Sequence, residues 1–258
     1  MFLPIGDAPN PKGVPIVTYA LIAANVAAFL LLNVPLDSRR ADVRSPEFRE
    51  YVEVMARELE GRVDVRQLVA QTSAYDLFSF EHGYRPAAPQ LPDLFSCMFL
   101  HGSFMHLFGN MLSLWIFGDN VEDRLGHGRY VFFYLLCGVI AALAHFFSDP
   151  ASQIPTVGAS GAIAGIMGAY FVLYPRSRVL MWVPIFFLFE VPAVFFLGFW
   201  FLTQLLSGVS SGLASSGQVG GVAFWAHVAG FAAGAILVKV FARPERSQLE
   251  WWDARTRP

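Results

Sequence analysis

Charge is scarce in this chain: Asp, Glu, Lys and Arg make up 15% of its 258 residues, while 55% are hydrophobic. A soluble domain carries about 25% charged residues, so the shortage excludes an ordinary water-soluble fold and places the chain in a lipid bilayer. Cysteine is scarcer still. Cys97 and Cys137 stand apart in apolar stretches, which excludes a disulfide framework and leaves each as a small hydrophobe. The net charge is −2 and basic residues form no cluster, so no nucleic-acid partner is expected. A charged segment before the first apolar run is also lacking, and that run reads as a retained anchor, not a cleaved leader.

What is present is a series of membrane-length apolar runs. About 20 such residues cross the hydrocarbon core, and the runs predict spans near 14–34, 103–120, 129–148, 157–174, 190–207 and 221–241. The expected fold is an all-α membrane protein of six transmembrane helices, one domain over 1–258, with a long, partly helical external loop at 35–102. Asn25 is expected to hydrogen-bond between helices, and Pro35 to end the first span. In the loop, Ser45-Pro46-Glu47 starts a helix whose Phe48, Val52, Met55 and Leu59 recur at helical spacing, an amphipathic element for the membrane or the protein surface. The stretch from Val179, broken by Pro184 and Pro192, predicts an irregular approach to the fifth span, with Glu190 capping its start. Ser207–Gly221 reads as a Gly/Ser-rich loop. Arginines in the short connections (Arg124, Arg129, Arg176, Arg178) and in the tail after Arg243 put both termini in the cytoplasm.

With that topology the second, fourth and sixth spans start at the outer face, and their polar residues can be compared for depth. Ser160 sits in the first turn of the fourth span, where helix N–H groups lack partners and the helix dipole favours developing negative charge. His227 lies about 9 Å into the sixth span at about 1.5 Å per residue. His106 and Asn110 share one face of the second. They reach the level of Ser160 if Ser103 is the N-cap and Asp93–His101 is a non-spanning lead-in. His227 can then serve Ser160 as general base. His106, Asn110 and the Ser160 N–H can bind an oxyanion. No Asp or Glu lies at that depth, so the imidazole is left to be placed by packing. The competing reading is that Gly158, Ser160 and Gly161 are small residues for close helix contact. His145 reads as a hydrogen-bonded structural residue, and His82 and His127, in connections, carry no signal. His101, His106 and His227 lack an acidic or thiolate ligand to complete a metal site, so neither metal nor cofactor is expected.

These residues resemble the rhomboid family of intramembrane serine proteases. His101-x4-His106-x3-Asn110 is similar to its second-helix motif, Gly158-Ala159-Ser160-Gly161 to its nucleophile motif, and Ala226-His227-x2-Gly230-x3-Gly234 to its histidine helix. Glu122-x-Arg124 is similar to a recurrent structural pair. The resemblance implies Ser160 as nucleophile, His227 as base, and His106 and Asn110 as oxyanion donors with His101 in support. Gly230 and Gly234 would pack the sixth helix on the fourth. It also implies transmembrane protein substrates cut in or beside their spans, and residence in a plasma membrane (the inner membrane of a bacterium) with the active site near the outer face. Two features depart from the family. The tyrosine that often follows the serine by four residues is Ala164, so another aromatic, Trp225 or Phe224, would have to hold the imidazole, and the first loop has no Trp-Arg pair. A proteolytically dead relative would lack Ser160 or His227, and a solute channel would not need the nucleophile motif.

Overall fold

The computed structural model describes residues 3–8, 10–11, 13–58, 64–183, 187–213 and 221–243. Helices dominate. The first, α1 (Ile16–Asp37), does not stop at Pro35: the chain widens into a π turn over Phe29–Asn33 and continues past the proline. A π turn regroups the carbonyls ahead of a residue that has no N–H to give them. Asn25 donates to Leu21 O at 2.9 Å, a bond within its own helix.

The long loop after α1 folds onto the protein. It carries α2 (Pro46–Glu58), α3 (Val65–Gln71) and α4 (Ala74–His82). Phe48 and Met55 of the expected stripe are buried, and Leu59 lies outside the described residues. Tyr51 meets the edge of Phe80 at 5.4 Å, and the Arg85 guanidinium sits 4.0 Å over the same Phe80 ring while bonding Glu50. Ser73 and Asp76 form a reciprocal cap at the start of α4. A short helix, α5 (Asp93–Ser96), runs on as a 3-10 turn over Cys97–Phe99 and stops before the next long helix, as a non-spanning lead-in would.

The remaining long helices are α6 (Phe104–Leu125), α7 (His127–Ser148), α8 (Ser160–Leu173), α9 (Ala193–Leu213) and α10 (Gly221–Phe241). Among the described residues, four helices are long and apolar enough to cross a membrane: Ile16–Asp37, His127–Ser148, Ala193–Ser210 and Phe224–Phe241. Of the other two predicted spans, α6 ends in a polar turn, and α8 has 14 residues, about 21 Å against a core of about 30 Å. Every residue of α8 from Ala162 to Tyr170 is buried. A helix apolar on all sides belongs inside a bundle, and α8 is that central rod, packed by α6, α7 and α10. Phe195, Phe199 and Ile236 on α9 and α10 are each about 70% exposed, the apolar exterior that lipid would cover.

The expectation of an all-α chain is corrected by a three-stranded antiparallel sheet. It is built from β1 (Leu3–Ala8), β2 (Arg178–Val183) and β3 (Phe187–Pro192) in that order. The supposed irregular approach to α9 is the β2–β3 hairpin, with Val179 and Met181 turned into the core on alternate positions. Glu190 therefore caps nothing: it stands opposite Leu180 and pairs with Arg178 at 3.4 Å. Ser177 O and Pro175 O take the N–H groups of Ala193 and Val194 instead. The expected loop from Ser207 is helical as far as Leu213, and 214–220 lie outside the described residues. Asp7 of β1 accepts hydrogen bonds from Tyr170 and Asn120 at the end of α8 away from Ser160. Burial pushes its carboxyl up to about 6, against those two bonds.

Candidate active site

Ser160 opens α8, and the residues before it set its direction. Gly158 takes a left-handed φ of 123°, which glycine adopts freely. Its N–H donates to Cys97 O at 2.8 Å, and a Cβ there would stand 2.7 Å from the His106 ring. The chain can therefore turn into α8 with His106 laid against the turn. Thr156 anchors the other side. It exchanges backbone hydrogen bonds with Tyr84 of the loop after α1, and its hydroxyl lies 2.5 Å from Nδ1 of the buried His145.

From α10, His227 reaches Ser160 with Nε2 at 2.8 Å from Oγ. Its Nδ1 lies 2.8 Å from Oε1 of Gln204 on α9. The ring beside the imidazole is Trp200, with centroids 5.8 Å apart, whereas Trp225 lies against Gly208. So the expectation that packing alone places the imidazole, with Trp225 or Phe224 as its aromatic, is corrected: the ring beside it is Trp200, and the Gln204 amide holds it by hydrogen bond. Gln204 did carry a signal in the sequence. A polar side chain in a lipid-length helix faces the bundle interior and finds a partner there.

Asn110 Nδ2 lies 2.9 Å from His101 Nε2. His101 is held through its backbone. The Tyr75 hydroxyl donates to its carbonyl at 2.9 Å and accepts from its N–H at 3.0 Å, and Asn33 of α1 donates to the same carbonyl at 2.9 Å. His106 starts α6, where Ser103 caps its N–H at 3.1 Å, and its ring meets His101 edge-on at 5.1 Å. Ser160, His106 and His227 line one cavity of about 90 Å³ together with Gly158 and Gly161. Asn110 and His101 do not line that cavity. Asn110 Nδ2 comes within 3.6 Å of where a Cβ on Gly158 would stand. No group of metal-ligating side chains occurs among the described residues.

The glycines let the rods approach. A Cβ on Gly161 would meet the Ala141 Cβ at 2.5 Å, and Gly230 and Gly234 press on the carbonyl oxygens of Gly161 and Gly165. Glu122 works far from the cavity. It accepts from Val17 N (2.9 Å), Thr18 N (2.7 Å) and Thr18 Oγ1 (2.7 Å), satisfying the orphan donors at the start of α1. His127, thought to carry no signal, lies 2.5 Å from the same carboxylate. The carbonyl of Arg124 accepts from Arg243 N at 3.2 Å, tying α6 to the end of α10.

A model of the Rhomboid domain matches residues 88–244. The chain is 40% identical over 76 residues to RHOMBOID-like protein 5 of Arabidopsis thaliana, covering 30% of this chain and 25% of that protein. It is 34% identical over 138 residues to Rhomboid protease GluP of Bacillus subtilis, covering 54% and 24%. With Rhomboid protein 1, mitochondrial, of Saccharomyces cerevisiae it shares 32% over 98 residues, covering 36% and 27%. The chain thus spans about a quarter of the length of these curated relatives. The domain match takes in more than half of the chain and every wall of the cavity between Ser160 and His227, and on that ground the chain belongs to the rhomboid family.

Proposed function

We propose that this protein is an intramembrane serine endopeptidase that hydrolyses a peptide bond in or beside a transmembrane segment of membrane-protein substrates. The observation that carries the reading is the 2.8 Å contact between Ser160 Oγ and His227 Nε2 at the mouth of α8. That is hydrogen-bond reach for a nucleophile and its base. Ser160 Oγ attacks the scissile carbonyl carbon as its proton passes to His227 Nε2. The carbonyl oxygen becomes an oxyanion, received by the Ser160 N–H, His106 and Asn110, with His101 setting the Asn110 amide. As the C–N bond breaks, His227 returns the proton to the departing amine. Water then attacks the acyl-serine by the same route, with His227 again as base.

The reading extends to the membrane. Six helices cross it, with α6 and α8 sheltered by the four more apolar ones. Both termini are cytoplasmic, the site lies near the outer face, and the membrane is a plasma membrane, the inner one in a bacterium. Residues 1–258 act as one domain, because Asn33 and Tyr75, outside the stretch matched to the family, hold His101. A substrate must present extended chain to Ser160, so spans rich in small and helix-weakening residues suit it, given the cost of unpaired backbone groups in lipid.

The test is cleavage of a labelled single-span substrate by purified wild type, Ser160→Ala and His227→Ala. Wild type is expected to cut, and both variants to lose essentially all activity. A fluorophosphonate should label wild type and not Ser160→Ala. Equal cleavage by all three proteins would sink the reading.

A further inference from the structure

The imidazole of His227 is held between two helices other than its own. Ser160 on α8 faces Nε2, and Gln204 on α9 faces Nδ1, each at 2.8 Å. A serine hydroxyl can give its proton to Nε2 only if that nitrogen is bare, so the ring proton must sit on Nδ1. An imidazole with nothing at Nδ1 exchanges between tautomers, and one of them cannot act as base. The family's usual tyrosine cannot steady the ring here, because its position is Ala164, fully buried against α10.

The neighbours of Gln204 decide which end of its amide faces the ring. Thr203 Oγ1 donates its proton to Trp200 O at 2.6 Å, leaving the hydroxyl oxygen as an acceptor. Gln204 Nε2 lies 3.5 Å from that oxygen and donates to it. With the NH2 group so engaged, the carbonyl end of the amide points at His227 and can only accept, which fixes the proton on Nδ1. We propose that Gln204 is a positioning residue: by accepting Nδ1–H it holds His227 in the tautomer that presents a bare Nε2 to Ser160. The proposal rests on the Ser160–His227 reading above. Its particular content is that a neutral amide on α9 stands where soluble serine hydrolases use a carboxylate. When Nε2 takes the serine proton, the Nδ1–H bond to the amide oxygen becomes charge-assisted and strengthens, so the amide favours the proton transfer as well as orienting it. Because α9 belongs to neither partner of the pair, displacement of α9 would remove base competence without moving Ser160.

The full chain in lipid nanodiscs, with ¹⁵N-labelled histidine, supplies the test. Wild type, Gln204→Met, Gln204→Glu and Ser160→Ala are compared for the ¹⁵N shifts of the His227 ring, for kcat and KM on the single-span substrate, and for melting temperature. Gln204→Met keeps the volume and loses the acceptor. It is expected to mix the two tautomers and lower kcat by about 3- to 10-fold, the worth of one neutral hydrogen bond, with KM and melting temperature unchanged. Gln204→Glu restores the Nδ1–H signal and most of kcat. A wild-type tautomer and kcat in Gln204→Met would overturn the proposal, as would a kcat loss that tracks a fall in melting temperature or that Gln204→Glu does not recover. If Gln204→Met shifts the tautomer while wild type neither cleaves substrate nor takes a fluorophosphonate, the positioning role stands and the protease reading falls.

Discussion

Gly234 of α10 presses on the carbonyl oxygen of Gly165 in α8, leaving no room for a Cβ, and Gly230 stands the same way against Gly161 one turn nearer the cavity. His227 is three residues before Gly230, and Ser160 is one before Gly161. The glycine contacts thus set the separation of the two side chains. Gly234→Val should push the rods apart, and a displacement of about 1 Å at a reacting pair can cost about 100-fold in rate. The strain should lower stability by about 1–3 kcal/mol. Gly128, with nothing within 4 Å of a Cβ, provides the control: Gly128→Ala should cleave at the wild-type rate. Substrate cleavage and thermal melting of both variants check this, and a fully active Gly234→Val would refute it.

Tyr75 lies in the long loop after α1 and reaches the site through His101. Its hydroxyl engages both the N–H and the carbonyl of that residue. Tyr75→Phe should leave KM and the fold unchanged while lowering kcat by about 3- to 10-fold, since each lost hydrogen bond is worth about 1 kcal/mol. Steady-state kinetics decides it. A change in KM alone would assign the loop to substrate binding instead.

Glu122 gathers two backbone N–H groups and a hydroxyl at the head of α1. Removing the acceptor strands those donors in a buried place. Glu122→Ala should therefore destabilise the protein by about 3 kcal/mol or more, and Glu122→Gln by less. Fluorophosphonate labelling per folded molecule should stay at the wild-type level, which separates a tether from a catalytic part.

Asp7 adds a pH dependence at the far end of α8. Its carboxyl is raised from the ordinary 3.8 to about 6, chiefly by burial. A folded-state value above the unfolded one means the folded protein holds the proton more tightly. The stabilisation is complete below about pH 4 and is lost as pH rises through about 6. Melting temperature should thus fall between about pH 4 and 6 in wild type, the interval between the unfolded and folded values. Asp7→Asn should flatten that component. An identical slope in the variant would show that other groups carry it.

The membrane class, the helix order and the candidate residues were legible because each leaves a local mark. Long apolar runs mark helices. Ser103 before Phe104 marks a cap that the structure places where expected. Ser160, His106 and His227 stood out because polar atoms are rare in such runs. Other features left marks that only partners could explain. The segment from Arg178 to Val183 alternates as a strand does, but the partner that completes its sheet is β1, 170 or more residues earlier in the chain. Glu190, next to a helix start in sequence, is committed to a strand ladder by that pairing. The loop after α1 reads as a charged insert, yet Tyr75 holds His101 and Tyr84 holds Thr156 in the cavity wall.

Periodicity and composition are properties of neighbours along the chain, so the sequence by itself determined that this is a bundle of apolar helices carrying a serine, two histidines and an asparagine in three of them. Tertiary structure alone decided how the imidazole is oriented, because Gln204 meets His227 only once α9 lies beside α10. Hydrogen-bond direction depends on distances of about 3 Å between atoms, and no pattern within a single helix encodes a distance to another.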